Sequence, residues 1–173
     1  NSEWMMVVDL DEFLYARNKF KNIVDYIESL SDNIASVRVP WKMFGSNGHK
    51  KQPSNVVSSF TKRKSKFHIM CKSITKTNCI SKILHHIYDN KSLFCDEKCM
   101  VETDNLNLNH YAIQSWEWFS QIKMTRGDVY NTNWDVVRNK KYFVRYDWNE
   151  IEDTELKDIN KNLFYIYPNG EGI

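Results

Sequence analysis

The chain has 173 residues, enough for one domain with a real core, and its 42% hydrophobic and 14% aromatic content argues for folding over disorder. With 24 Lys and Arg against 22 Asp and Glu, the formal net charge is +2 and the pI about 8.3, too small an excess to argue for nucleic acid. No apolar run is long enough to span a bilayer, and the N-terminal one is short, lacks a basic flank and ends in acids, so it does not read as a signal peptide; a targeting signal would belong to the part of the protein outside this sequence.

Met5–Val8 is β-rich and continuous, which predicts a central strand covered on both faces. In "NKFKNIVDYIESLSDN", Phe20, Ile23, Val24, Ile27 and Leu30 recur at three- and four-residue steps, an amphipathic helix. "IASVRVPWKMF" reads as a strand bent or ended near Pro40, and "GSNGHKKQPSN" as a loop. "FHIMCKSI" predicts another strand, "ISKILHHIY" a strand or short helix, and the polar run from Asn90 to Asn109 irregular structure. "HYAIQSWEWFSQIK" starts strand-like and turns helical at Ser115, whose hydroxyl can cap the first turn, and the helix ends at Gly127. A last helix is predicted over Glu152 to Ile159. Strands and helices in this order predict a mixed α/β fold. The basic run "TKRKSK" lacks interleaved aromatics and reads as a solvated face. The cysteines Cys71, Cys79, Cys95 and Cys99 lack zinc-ligand spacing and read as ordinary thiols, with Cys71–Cys79 or Cys95–Cys99 bridges open only to an oxidising compartment.

The first strand runs straight into Asp9-Leu10-Asp11-Glu12. In open α/β sheets, ligands bind beyond the carboxyl ends of strands. Strand alternation would send Asp9 and Asp11 to one side and Leu10 to the core. Two carboxylates side by side repel unless a cation sits between them, and hard oxygens suit Mg²⁺ or Mn²⁺ holding a diphosphate. Glu12, on the other side, is expected to brace the turn.

The segment "MMVVDLDEFLY" resembles the D-x-D segment of the GT-A glycosyltransferases, more narrowly the family-92 (DUF23-like) and related family-2-like group. Further segments match that group in the same order: "VRVPWKMFGSNGHKKQP" with its F-G-S-x-G-H loop, "CKSI", the His85-His86 pair, and "NHYAIQSWEWFSQIKMTRGD". The likeness spans about Trp4 to Asp128. It implies residues 1–130 as a family-like core with 131–173 as a C-terminal extension of one domain, and it implies the C-terminal portion of a GT-A domain with a Rossmann-like mixed central sheet. The implied activity is metal-dependent, inverting transfer of a sugar from a nucleotide-sugar to a hydroxyl of a glycan, glycoprotein or lipid.

The resemblance implies Asp11 as direct ligand of Mn²⁺ or Mg²⁺, Asp9 as acting on ribose or through water, and His110 as completing the metal shell; an imidazole suits Mn²⁺. His85 and His86 rank below His110. The "FGSNGH" loop is the expected acceptor loop: Gly45 and Gly48 admit close backbone approach, Ser46, Asn47 and His49 offer polar groups to hydroxyls, and Trp41 and Phe44 offer aromatic faces. Lys72, Lys123 and Arg126 are the cations expected to neutralise the departing diphosphate. The base that takes the acceptor's proton is left among Glu117, Asp128, Glu152, Asp153 and His49. The S-x-E-x-F match leans towards Glu117, with Asp153 beside it.

Two other readings compete: a non-catalytic carbohydrate- or protein-binding remnant of such a domain, and a Mg²⁺-dependent phosphotransferase or nuclease, which would want carboxylates for a second metal. The group's nucleotide-binding half is not represented in this sequence, so the chain reads as a piece of a longer protein. An exposed apolar flank beside the first strand and weak donor binding by the isolated chain are expected.

Overall fold

The computed structural model describes residues 3–84, 87–90, 100–127 and 138–166. They form two compact units: Asn1–Met43 with Lys66–His110, and Phe44–Ser65 with Tyr111–Ile173. The chain thus changes unit inside the apolar stretch after Pro40.

The first unit is built on a mixed sheet. Its strands are β1 (Trp4–Met5), β2 (Glu12–Ala16), β3 (Ser36–Met43), β5 (Cys71–Lys76), β8 (Met100–Glu102) and β9 (Leu106–His110). The order is β1-β5-β3-β9-β2, with β8 also on β3. β5 runs antiparallel to β3, whereas β8 and β9 run parallel to it and β2 pairs antiparallel with β9. A hairpin of β6 (Ile80–Leu84) and β7 (Ile87–Asn90) belongs to the same unit. The helix α1 (Ile23–Glu28) starts at Asn22, whose side chain accepts the Asp25 N–H. Phe20, Ile23, Ile27 and Leu30 of its stripe pack on the core of Tyr26, Val37, Val39, Ile74, Leu106 and Leu108, while Val24 is exposed. Val37, Val39 and Leu108 are fully buried; each contributes about 1.5–3 kcal/mol.

The alternation of β9 explains the opposite face. Leu106 and Leu108 enter the core, and Asn107 and Asn109 point away from it, still buried. There the Tyr15 hydroxyl accepts from Lys42 Nζ at 3.1 Å and from Asn107 Nδ2 at 3.2 Å. That keeps a buried ammonium hydrogen-bonded.

Three expectations are corrected in this unit. The first strand is not central: it is a two-residue edge strand, paired with β5. The polar run before Asn109 contains β8 and most of β9. Leu10 does not reach the core but is fully exposed, because Glu12 N–H bonds to Asp9 O at 3.0 Å and makes Asp9–Glu12 a turn, where period-two alternation does not apply. Along β1 and α1 lies an open groove of about 520 Å³ lined by Trp4, Met6, Ile27 and Ile74 together with Glu3, Glu28 and Lys76.

The second unit holds α2 (Val56–Ser59), β4 (Lys62–Arg63), α3 (Trp116–Gln121), α4 (Lys140–Tyr146), β10 (Ile151–Glu152) and α5 (Glu155–Ile166). Strands β4 and β10 pair antiparallel. Ser115 caps α3 by accepting the Trp118 N–H, but the helix stops at Gln121 and a 3₁₀ turn over Lys123–Thr125 follows, short of Gly127. The final helix begins and ends later than the charge pattern suggested. Aromatic side chains form the packing: Phe119 meets Trp116, Tyr142 and Phe143, and Phe44 meets Tyr111. Among the described residues no helix is long and apolar enough to cross a membrane.

Candidate functional site

In the first unit, strand register builds the site. Glu12 is the partner of His110 across the β2–β9 ladder, so Asp11 stands beside that imidazole. Asp11 Oδ1 lies 3.7 Å from His110 Nε2, both side chains being 11% exposed. That is too long for a hydrogen bond. It is close to the ~3 Å between two donors each about 2.1 Å from one ion. The two therefore converge within one ion's reach, and hard oxygen with imidazole nitrogen is a donor set that Mn²⁺ accepts. Among the described residues no group of three or more His, Cys, Asp or Glu side chains could hold a metal. An ion here would take its remaining ligands from substrate and water, the habit of Mg²⁺ in phosphate sites.

The turn beside this pair is tightly held. Glu12 Oε2 accepts the Asp9 N–H at 2.9 Å, which braces the turn. Lys72 Nζ lies 3.1 Å from Glu12 Oε2 and 3.1 Å from Asp9 Oδ2. The Lys72 side chain is 1% exposed and that of Asp9 62%. Lys72, expected to meet a diphosphate, is thus corrected to a buried counter-ion of two carboxylates. Asp9 leans into solvent. Trp41 is not an open stacking face either: it packs on the core, with His110 at 4.6 Å between ring centroids and His68 stacked at 5.8 Å.

Burial raises the Glu12 carboxyl above the ordinary value of 4.5, with the Asp9 N–H and the Lys72 ammonium opposing it. A raised folded value means the native state holds the proton more tightly. Glu12 therefore contributes stability below about 4.5 that is lost as pH rises through its folded value. The stability of the protein relative to Glu12→Gln should fall across that window in urea melts taken at successive pH values. A difference independent of pH would show that Glu12 titrates normally.

In the second unit the "FGSNGH" loop is anchored mostly by its own chain. Phe44 is 1% exposed and is a core side chain, not an acceptor platform. A Cβ on Gly45 would collide with Trp148 O, so this glycine admits the Trp148 backbone and the Asn149 side chain rather than a sugar. Ser46 is buried, its hydroxyl accepting the Gly48 N–H and its own N–H donating to Asp147. Gly48 is different: exposed, at φ +77, with nothing within 4 Å of a built Cβ. His49 is half-buried, Nε2 3.2 Å from Ser59 O and its ring edge-on to Phe60. Asn47 side-chain groups bind Thr61 and Lys62.

Helix α3 is tied to this loop, because Trp116 and Glu117 donate their N–H groups to His49 O and Lys50 O. Glu117 Oε2 accepts the Gln52 N–H at 2.8 Å, and Oε1 has no hydrogen bond among the described residues. Asp153 is corrected to a structural carboxylate: Arg63 Nε holds one oxygen at 2.7 Å and the Glu155 N–H, opening α5, binds the other. The Thr61 hydroxyl reaches Glu152 at 3.4 Å. Lys123 lies over the Trp118 ring and Arg126 is exposed. His85, His86, Asp128, Cys95 and Cys99 lie outside the described residues, and Cys71 and Cys79 are free thiols.

Sequence reasoning missed His68, Gln52 and Asp147. Gln52 joins Glu117, Gln114 and Ser115, and Asp147 anchors Ser46. No spacing marks a residue whose partners are brought by tertiary packing. Glu12 carried a signal in its charge, since it opens the otherwise apolar strand EFLYA.

The family model for glycosyltransferase family 92 matches residues 1–163. The chain is also 27% identical over 180 residues to a curated glycosyltransferase family 92 protein of Ricinus communis, a match covering 90% of this chain and 32% of that protein. The chain thus spans about a third of the length of the curated relative it matches.

Proposed function

Because the chain belongs to glycosyltransferase family 92, we propose that its first unit carries the donor side of a metal-dependent sugar transferase with a GT-A fold. The donor is a nucleotide-sugar, the acceptor a hydroxyl of a glycan, glycoprotein or lipid, and the transfer inverting. The observation that carries this reading is the convergence of Asp11 and His110 at 3.7 Å beside the solvent-facing Asp9. Asp11 and His110 would hold Mn²⁺ or Mg²⁺, which when bound offsets the charge of the departing diphosphate.

In the first unit, the chain's own groups would act around that ion. Asp9, with Oδ2 on Lys72, accepts from a ribose hydroxyl through its other oxygen. Lys72 screens the carboxylates from one another without touching the donor. In the second unit, Arg126 is exposed. Gly48 and His49 remain the acceptor contacts. Glu117, half-buried and with one oxygen uncommitted, is the base candidate; a partly buried carboxylate is the better proton acceptor.

Paramagnetic broadening tests the reading in the chain itself. Mn²⁺ alone should broaden the NMR signals of Asp11 and His110 first and saturably, even where affinity is low. Uniform broadening along the chain, or none at these two residues, would sink the two-ligand site.

A further inference from the structure

Lys72 is a buried lysine shared by two carboxylates of one turn. Its side chain is 1% exposed and its Nζ is 3.1 Å from both Asp9 Oδ2 and Glu12 Oε2. Glu12 Oε2 also takes the Asp9 N–H at 2.9 Å, so a single carboxylate oxygen receives the ammonium and the backbone of the turn together. The other Glu12 oxygen is buried and has no hydrogen-bond partner. A buried carboxylate with one idle oxygen is costly unless its remaining contacts are well made. The three contacts close a ring: ammonium to Asp9 side chain, ammonium to Glu12, Glu12 to the Asp9 backbone. The residue left between the tied positions and the His110 imidazole is Asp11.

We infer that Lys72 and Glu12 form a buried latch that sets the conformation of the Asp9–Glu12 turn, making Lys72 a positioning residue for the Asp11–His110 pair. This deepens the proposed cation site and rests on that reading for its functional consequence. The latch itself is a statement about the turn.

The two roles open to Lys72 predict opposite signs. A lysine that contributes only positive charge opposes a nearby cation, so its loss would tighten Mn²⁺. A lysine that positions the turn lets Asp11 wander when it is lost, and Mn²⁺ weakens. A lysine that meets the diphosphate would leave binding of the metal alone no weaker and weaken only the pyrophosphate step.

Lys72→Met and Lys72→Met/Glu12→Met are therefore compared with the parent chain by water-proton relaxation with Mn²⁺ alone, then with added inorganic pyrophosphate. The double variant removes both charges together and serves where the single one fails to fold. The expected result is a loss of Mn²⁺ affinity of about tenfold or more in either variant, with the pyrophosphate step on the loaded chain unchanged. Unchanged or tighter Mn²⁺ binding overturns the inference. If the parent binds no Mn²⁺, the cation reading fails, and amide hydrogen exchange at Asp9 decides the latch separately. Faster exchange there, with the Leu14–Leu108 region of the β2–β9 ladder unaltered, supports the latch. Unaltered exchange at Asp9 overturns it.

Discussion

On the proposed function, Asp11→Asn is expected to abolish divalent-metal-dependent sugar transfer by the intact protein and to leave its fold in place. The expected fall in kcat is about 10²–10³-fold or more, the scale seen when one group aimed at developing charge is removed. Asn has the shape of Asp, so the turn keeps its Glu12–Asp9 bond and its Lys72 contacts, none of which uses the Asp11 side chain. The charge and the metal-binding oxygen are what go. Rates with Mn²⁺ in excess and a thermal melt of the same preparation check both halves. Transfer within threefold of the parent would remove Asp11 from the metal site, and a collapsed melt would return it to a structural role.

Arg63→Met is expected to be strongly destabilising. Its guanidinium and the Asp153 carboxylate are 13% and 8% exposed and 2.7 Å apart, and Arg63 Nη1 also binds Lys64 O and Ser65 O. Removing one partner strands a buried charge, a loss of about 3–5 kcal/mol. For a chain of this size that lowers Tm by on the order of 10 °C. Arg63→Met/Asp153→Leu should recover most of it, because no charge is then left unpaired. Melts of the two variants decide the matter: equal Tm values would mean the pair is not coupled.

The mixed α/β class and several elements were legible in the sequence because they rest on local chemistry. Asn22 and Ser115 sit where a short polar side chain caps a helix, and both do so. The stripe of α1 faces the core at every predicted position except Val24. The failures share a cause as well. Leu10 was assigned by alternation, which a backbone bond from Glu12 to Asp9 cancels. Leu106 to Asn109 alternates cleanly, yet its asparagines disguised a buried strand as polar irregular chain. At the candidate site, Asp11 and His110 were picked out through the family resemblance of the segments that hold them. The roles of Phe44, Gly45 and Ser46 were not legible, because Tyr111, Trp148 and Asp147 reach them from 67 to 103 residues downstream, and sequence spacing carries no trace of such contacts.

The β2–β9 ladder that places Asp11 beside His110 also sets when the pair can exist. Bringing those residues together closes a loop of roughly a hundred residues, whose entropy the strand pairing must first offset. Nothing local in the unfolded chain holds the two groups near each other. The pair is therefore a late product of folding, and an ion bound across it ties the first strands of the unit to one of its last. Such binding draws the equilibrium towards the folded state by mass action, about 2.7 kcal/mol at a hundred times the dissociation constant. If the proposed ion binds there, its concentration would govern persistence of the sheet as well as occupancy of the site.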